Sequence, residues 1–583
     1  MEKYFFRSSA EDFKKIPGSP IAYWVPMKIL FLFEKNKNLD EVIITRIALA
    51  TGDNERFIRQ WSEVSFKKIG FNIFSNQAAK KSKKKWFPCN KGGEFRKWYG
   101  NCENIVNWFN DGEEIKNNAD PKTGRIRSHN YNGEFAFKES ITWNGLSSSK
   151  FGIRYSPPGF MFVTPGSSAF VKNSNIDIFF VLALLLSKVS YYFLQTISCT
   201  MNIEAGNVLK IPLVSGVQWD VDIVRNGLEL SQLDWDSYET SWDFQQLPLL
   251  NPEHHKPTLK NTYAAVRRHW HEMTQETKRL EEENNRIFIK AYGLEDELTP
   301  DVPLSEITLT CNPYYRYPDK QNKKYTDEER EAMLLTDTMK ELISYAIGCM
   351  MGRYSLDEPG LIYAHSGNEG FDPSRYRQFP ADEDGIIPVT DIAWFEDDAT
   401  NRFIEFIKTA WPKEHLEENL KFVADALKPK RNETPEDTIR RYLSTSFYKD
   451  HLKTYKKRPI YWLFSSGKQK AFQCLVYLHR YNEATLSRMR SAYVIPLQGK
   501  IIARLEYLKG EIDAAATASA RNKLQKEMDA LRKKQDELSR FDDELRHFAD
   551  RKISLDLDDG VKVNYGKFGN LLAEVKAVCG KKK

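Results

Sequence analysis

The sequence predicts an α+β chain of several parts. A connector over 1–50 leads into a mixed domain over 51–250 and a helical spacer over 251–310. A mixed C-terminal domain over 311–495 follows, then a coiled helical pair with a terminal strand and helix over 496–583. Three observations carry this reading. Short apolar runs broken by Gly, Asn, Ser and aromatics fill 51–215. Helical periodicity runs from Lys260 to Tyr292. A seven-residue phase links Ile501, Leu505, Leu508 and Ile512, and then Leu524, Met528, Leu531, Gln535, Leu538 and Leu545.

The length supports such a layout. A chain of 583 residues with 41% hydrophobic residues can build cores for about three to five domains. The 13% aromatic content excludes a wholly disordered regulator.

Taken in order, Pro17, Gly18 and Pro20 make a turn, followed by the apolar run Ile21–Val25 and a short helix Met27–Phe33. The run Ile176–Leu186 is strongly apolar and stops at Lys188. A bilayer span needs about 20 residues, so the expectation is a buried helix, extending to Leu194, and no membrane partner. Val208–Val214 reads as a strand. Further helices are expected over Glu328–Met350, Asn401–Trp411 and Thr434–Tyr442. A strand around Val561–Val563 and a helix Phe568–Val578 close the chain. Gly510–Ala520 could join two helices into an antiparallel hairpin or continue one longer helix; the pattern fits both.

Seven cysteines lie scattered, at 89, 102, 199, 311, 349, 474 and 579, with no two-residue spacing. They read as thiols in a reducing cytoplasm. The N-terminal charges Lys3, Arg7, Glu11 and Asp12 are unlike a signal peptide.

The net charge of +6 hides a basic stretch over 51–150 and an acidic one over 201–300. Lysine and arginine release counterions from phosphate backbones, so the basic stretch suits nucleic acid. The run Lys80, Lys81, Lys83, Lys84 and Lys85 equally suits a solvated loop. The densest basic and aromatic cluster follows it. Lys84, Lys85, Lys91, Arg96 and Lys97 offer phosphate contacts, and Asn90 and Asn101 offer base contacts. Trp98 and Tyr99 interleave, and Gly92 and Gly93 allow close backbone approach. Arg125, Arg127, His129, Asn130 and Arg154 extend the set. The residues alone also suit a protein-binding or carbohydrate-binding surface.

Sites for other chemistry are not evident. No dinucleotide or phosphate-loop glycine motif and no paired-histidine zinc motif occurs. His254, His255, His269 and His271 lack ligand spacing, so no metal is expected. Asn312-Pro313-Tyr314-Tyr315 resembles the loop with which amino-group DNA methyltransferases grip a flipped base. Tyr314 replaces its second proline, and no glycine-rich strand turn precedes it, so a turn with packed aromatics is expected.

The stretch KKWFPCNKGGEFRKWYGN (84–101) resembles the target-recognition region of BREX phage-defence adenine-specific DNA methyltransferases, with single-chain type II restriction-modification methyltransferases as relatives. FKKIPGSPIAYW (13–24), ATGDNERFIRQW (50–61), SWDF (241–244), LEEENNRIFIKAYGLEDEL (280–298) and ITLTCNPYYRY (307–317) carry the same resemblance. It covers the chain from residue 13 onward.

The resemblance implies sequence-specific recognition of double-stranded DNA for adenine-N6 methylation. It makes 51–250 the target-recognition domain and 1–50 a connector from a methyltransferase domain. That catalytic domain, Rossmann-like and methyl-donor-binding, is expected to be absent from this chain. The chain alone is therefore expected to be inactive and to bind no cofactor, S-adenosylmethionine belonging to the complete enzyme. Implied partners are DNA, a catalytic domain or subunit, other defence-system proteins and a phage DNA-mimic protein. The alternative is a protein-interaction scaffold of the defence complex, bound by such a mimic.

Overall fold

The computed structural model describes residues 9–47, 49–144, 150–172, 176–198 and 203–580. Lys3, Arg7 and Cys199, used above, lie outside the described residues. The chain divides into two compact units. The first takes in the chain up to Trp61, Lys68–Ser241 and Arg267–Arg330; the second takes in Ser62–Lys67, Trp242–Val266 and Glu331–Lys583.

The first unit holds two four-stranded sheets. One orders Ile43–Ile47, Gly166–Val171, Ser140–Asn144 and Ile153–Ser156, all antiparallel. The other orders Ile58–Gln60, Asn104–Asn107, Trp86–Asn90 and Met161–Phe162. Only its last pair is parallel, with Cys89 opposite Met161. Among the described residues no sheet is a doubly wound parallel one.

The expected single helix over 176–194 is instead two, Ile178–Leu186 and Lys188–Ile197, bent by 70°. Ser187 is the reason. Its backbone is extended, its hydroxyl donates to the Leu184 carbonyl (2.6 Å), and it accepts from the Ser190 N–H to cap the second helix. Burial is as the apolar run implies: Val181, Leu182, Leu184, Val189, Phe193 and Leu194 are at most 1% exposed and pack with Trp143, Ile153 and Phe288. Among the described residues no single helix is long and apolar enough to cross a membrane. The expected strand Val208–Val214 shrinks to Pro212–Leu213, paired with Lys37–Asn38, because Ala205–Val208 closes a helical turn and Pro212 has no N–H to extend a ladder.

The second unit is built on a three-stranded antiparallel sheet ordered Ile386–Pro388, Gln473–Tyr477, Tyr461–Ser465. Its helices include Ala399–Ala410 and Pro435–Thr445, the latter opened by a capping box of Thr434 and Asp437. The segment Ser62–Lys67 belongs here. Glu63 accepts from the Val561 N–H (2.9 Å), the Val64 carbonyl from His479 Nε2 (3.0 Å), and Phe66 N–H donates to the Ala364 carbonyl (2.9 Å).

The coiled segment forms two helices, Ile495–Ala514 and Ala518–Asp550. Arg490 pairs with Asp542 and Arg504 with Glu527, both at 2.7 Å, which fixes an antiparallel hairpin. The seam residues Ile501, Leu505, Leu508, Met528, Leu531, Leu538 and Leu545 are buried.

Val561–Val563 is a helix, Gly560–Tyr565, not the expected strand. Burial at Val561, Asn564 and Tyr565 is helically spaced, while Val563 is 55% exposed. The final helix is shortened to Val575–Cys579. A tight turn with Gly569 at φ +56° and Glu574 at φ +55° interrupts the expected run from Phe568.

Candidate nucleic-acid interface

The 84–101 cluster begins on a buried strand, Trp86–Asn90, and continues as a loop. Lys84 and Lys85 are half-buried at its start, and Lys85 Nζ sits 5.8 Å from the Trp86 ring centroid. Asn90 is buried and donates to Ser156 Oγ (2.7 Å). Lys91 and Gly92 are half-buried and Gly93 is exposed. Gly92 and Gly93 have φ of +98° and +153°. A Cβ on Gly93 would stand 2.6 Å from Asn101 Cγ, so the turn admits only glycine there. Asn101 Nδ2 donates to the Glu94 carbonyl (3.0 Å), and Asn144 Nδ2 donates to that of Gly93.

The cationic centre of the cluster lies inside the first unit. Arg96 is 3% exposed and uses its whole guanidinium internally. Nη2 pairs with Asp234 (2.5 Å), Nη1 donates to Thr310 Oγ1 (2.8 Å) and Nε to the Tyr99 carbonyl (2.9 Å). Asp234 also accepts from the N–H groups of Thr310 (2.7 Å) and Cys311 (2.9 Å). Lys97 pairs with Glu281, which accepts in addition from Trp98 Nε1 (2.9 Å). Burial raises the Glu281 carboxyl above its ordinary pKa, against the opposing pull of Lys97. Trp98 and Tyr99 are buried too.

Arg154 is 2% exposed and faces neutral oxygens, with Nη2 on Asn144 Oδ1 (3.1 Å) and Nη1 on the Arg96 carbonyl (3.4 Å). Burial, together with the Arg96 charge, lowers its pKa to about 10. Arg96, Lys97 and Arg154 therefore frame the loop, and their expected role as surface contacts is not where the fold places them.

Asn312 is likewise internal. Its amide donates to the carbonyls of Leu304 and Ile307, both at 2.8 Å, and its oxygen caps Tyr314 N–H (3.1 Å). Tyr315 hydroxyl donates to the Phe95 carbonyl (2.5 Å).

Arg125, Arg127 and Asn130 are exposed. They lie on a hairpin in which Asp120 N–H donates to the Arg125 carbonyl and Arg127 N–H to that of Asn118, both at 2.8 Å. Asp120 pairs with Arg127, which holds its carboxyl well below the usual range. Among the described residues no group of three or more His, Cys, Asp or Glu is placed to hold a metal ion.

Sequence reading did not single out Asp234 and Glu281, the acids that organise this region, or Asp120 and Tyr131 on the hairpin. The acidic balance over 201–300 was the available signal for the first two.

No family model matches the chain. It is 45% identical, over an alignment 587 positions long that covers 99% of the chain, to the adenine-specific methyltransferase BrxX of Escherichia coli O9:H4 (strain HS), of which it covers 46%. It is 42% identical over 572 residues, 97% of its length, to the adenine-specific methyltransferase PglX of Lacticaseibacillus casei (strain Zhang), of which it covers 45%. Over nearly its whole length, then, the chain matches the BREX-family adenine-specific methyltransferases, while spanning about half the length of these relatives.

Proposed function

We propose that this chain is the double-stranded DNA recognition part of an adenine-N6 DNA methyltransferase in phage defence, working in the cytoplasm, with catalysis supplied by a separate domain. The 45% identity along 99% of the chain to an adenine-specific methyltransferase carries the reading. Its sheets do not fit a methyl donor. Among the described residues they are small and mostly antiparallel, without the glycine-rich strand-to-helix turn such a cofactor needs. No catalytic step is therefore assigned to these residues, and S-adenosylmethionine belongs to the complete enzyme.

The test is selection of the purified chain on a randomised duplex library at two salt concentrations, with methyl transfer assayed alongside. Enrichment of one motif without turnover supports the reading. Binding without any sequence preference, or turnover by the chain alone, contradicts it.

A second reading, a scaffold for defence-system proteins or a phage DNA mimic, draws on one exposed segment. Ile21, Tyr23, Trp24, Met27 and Phe31 are 43–70% exposed, and Lys15 and Lys35 stand over the Phe31 ring. An aromatic face rimmed by lysine suits an acidic protein. Retained binding of such a protein without DNA affinity would favour this reading.

A further inference from the structure

The Asn118–Tyr131 hairpin combines a root fixed in the fold with an internally bonded tip whose exposed Lys122 and Arg125 side chains extend from it. At the root, Ala50 and His129 exchange both backbone hydrogen bonds (2.8 and 2.9 Å), and Asn118 Nδ2 donates to the Thr51 carbonyl (3.1 Å). Ser128 hydroxyl donates to the Ile115 carbonyl. Gly52, at φ +72°, lies so close that an added Cβ would stand 2.8 Å from Arg127 Cβ. At the tip, Asp120 accepts from the N–H groups of Lys122 (2.8 Å) and Thr123 (3.0 Å), while Gly124 N–H donates back to the Asp120 carbonyl (2.8 Å). The same carboxylate pairs with Arg127. The turn is thus held in one shape before any ligand arrives.

Asp120 neutralises Arg127 but leaves Arg125. Among the described residues the exposed Arg125 guanidinium and Lys122 ammonium have no side-chain partner. Beside them, Ile126 is 42% and Tyr131 54% exposed, and the His129 and Tyr131 rings stack at 5.4 Å and 14°. A tight hairpin turn closed by the single antiparallel bridge Ala119–Ile126, with a fork of donors flanked by apolar and aromatic surface, is narrow enough for a DNA major groove. That groove offers paired acceptors on guanine and methyl groups on thymine. Preorganisation lowers the ordering cost of binding.

We propose that this hairpin is the base-reading element, with Arg125 hydrogen-bonding a base edge in the major groove and Lys122 contacting a phosphate. The inference rests on the DNA-recognition reading above. It assigns different work to two groups of basic residues: Arg96, Lys97 and Arg154 hold the frame, and the hairpin reads.

The experiment is library selection with the full chain and its Arg125→Ala, Arg125→Lys and Lys122→Ala variants. These side chains are exposed, and circular dichroism is to check that each variant is folded. The expected result is a motif enriched by the parent chain whose preference at one position falls about tenfold to a hundredfold in Arg125→Ala. Arg125→Lys should restore it incompletely, because an ammonium lacks the guanidinium fork. Lys122→Ala should weaken all sequences alike and lower the salt slope by about one. If the parent enriches a motif that Arg125→Ala reproduces at every position, the hairpin assignment falls and the recognition reading stands. If the parent enriches nothing, both fall.

Discussion

Lys97 and Glu281, 184 residues apart in the chain, form an ion pair whose side chains are only 11% and 6% exposed. The basic and acidic stretches of the sequence are therefore partly each other's counterions within the first unit, as the Arg96–Asp234 pair repeats. A charge asymmetry that looks outward in the sequence is here partly turned inward.

Removing one member of such a pair leaves a buried charge uncompensated. Lys97→Ala is expected to lower stability by about 3–5 kcal/mol in urea unfolding. The double variant Lys97→Met, Glu281→Gln should recover most of that loss, since glutamine keeps an acceptor for Trp98 Nε1. The salt slope of DNA binding by folded Lys97→Ala should match that of the parent. A slope lower by about one would put the ammonium on a phosphate instead.

His451 and His479 set an acid limit on the second unit. His451 Nε2 accepts from the N–H groups of Ile460 and Tyr461, both at 3.1 Å. Burial, followed by the Arg353 charge, pushes both histidines down to about pKa 3. The unfolded chain therefore binds more protons than the folded one between about pH 6.5 and pH 3. Stability should fall with acidification through that window, by up to ~1.4 kcal/mol per pH unit for each ring. Hydrogen exchange at the Ile460 and Tyr461 amides between pH 7.5 and 5, corrected for intrinsic rates, reads this out. His451→Gln should reduce the pH dependence.

Asp384 acts with the opposite sign. Tyr493 hydroxyl lies 3.1 Å from an Asp397 oxygen, 3.2 Å from the Ile386 carbonyl and 3.4 Å from Asp384 Oδ1, and its single proton cannot serve all three. Burial and the Asp382 charge push the Asp384 carboxyl up to about 7. Its stabilising contribution is full below the unfolded carboxyl pKa and is lost as pH rises through about 7. Asp384→Asn should therefore stabilise the protein at pH 8, by about 1–3 kcal/mol, and change little at pH 4. Thermal melts at the two pH values decide it.

Glu537 anchors the helical hairpin to the sheet of the second unit. Its carboxylate accepts from Ser466 Oγ and Gln469 N–H, both at 2.7 Å, and from Ala471 N–H (3.2 Å). Glu537→Ala is expected to cost about 3 kcal/mol in chemical denaturation, and Glu537→Gln less than half as much. Equal losses for the two would mean that packing, not the carboxylate, holds the loop.

The long helices are legible in the sequence because their apolar residues repeat over many turns. Leu259–Tyr292, Asp327–Met350 and the seam from Ile501 to Leu545 all lie close to their expected places. Short elements are less legible. Ser187 breaks a helix through one hydroxyl and one extended backbone, and Val561–Val563 has strand-forming residues on a helical burial pattern. In the candidate site, the concentration of Lys and Arg was visible, but their direction was not. Whether Arg96 faces water depends on Asp234, 138 residues away, and no local pattern encodes that partner. Arg125 is nearer to legible, since Pro121 and Gly124 mark its turn.

The six-residue segment Ser62–Lys67 sets a timetable for biosynthesis. Glu63 is translated 498 residues before the Val561 amide that it receives. At elongation rates of about 5–20 residues per second that interval is roughly 25–100 s. During it the first unit can be made complete through Arg330 while the second still lacks its sheet. A nascent chain paused anywhere in this interval holds Glu63, Val64 and Phe66 without their final partners, open to proteases and chaperones. Closure of the second unit thus waits until translation has passed Val561.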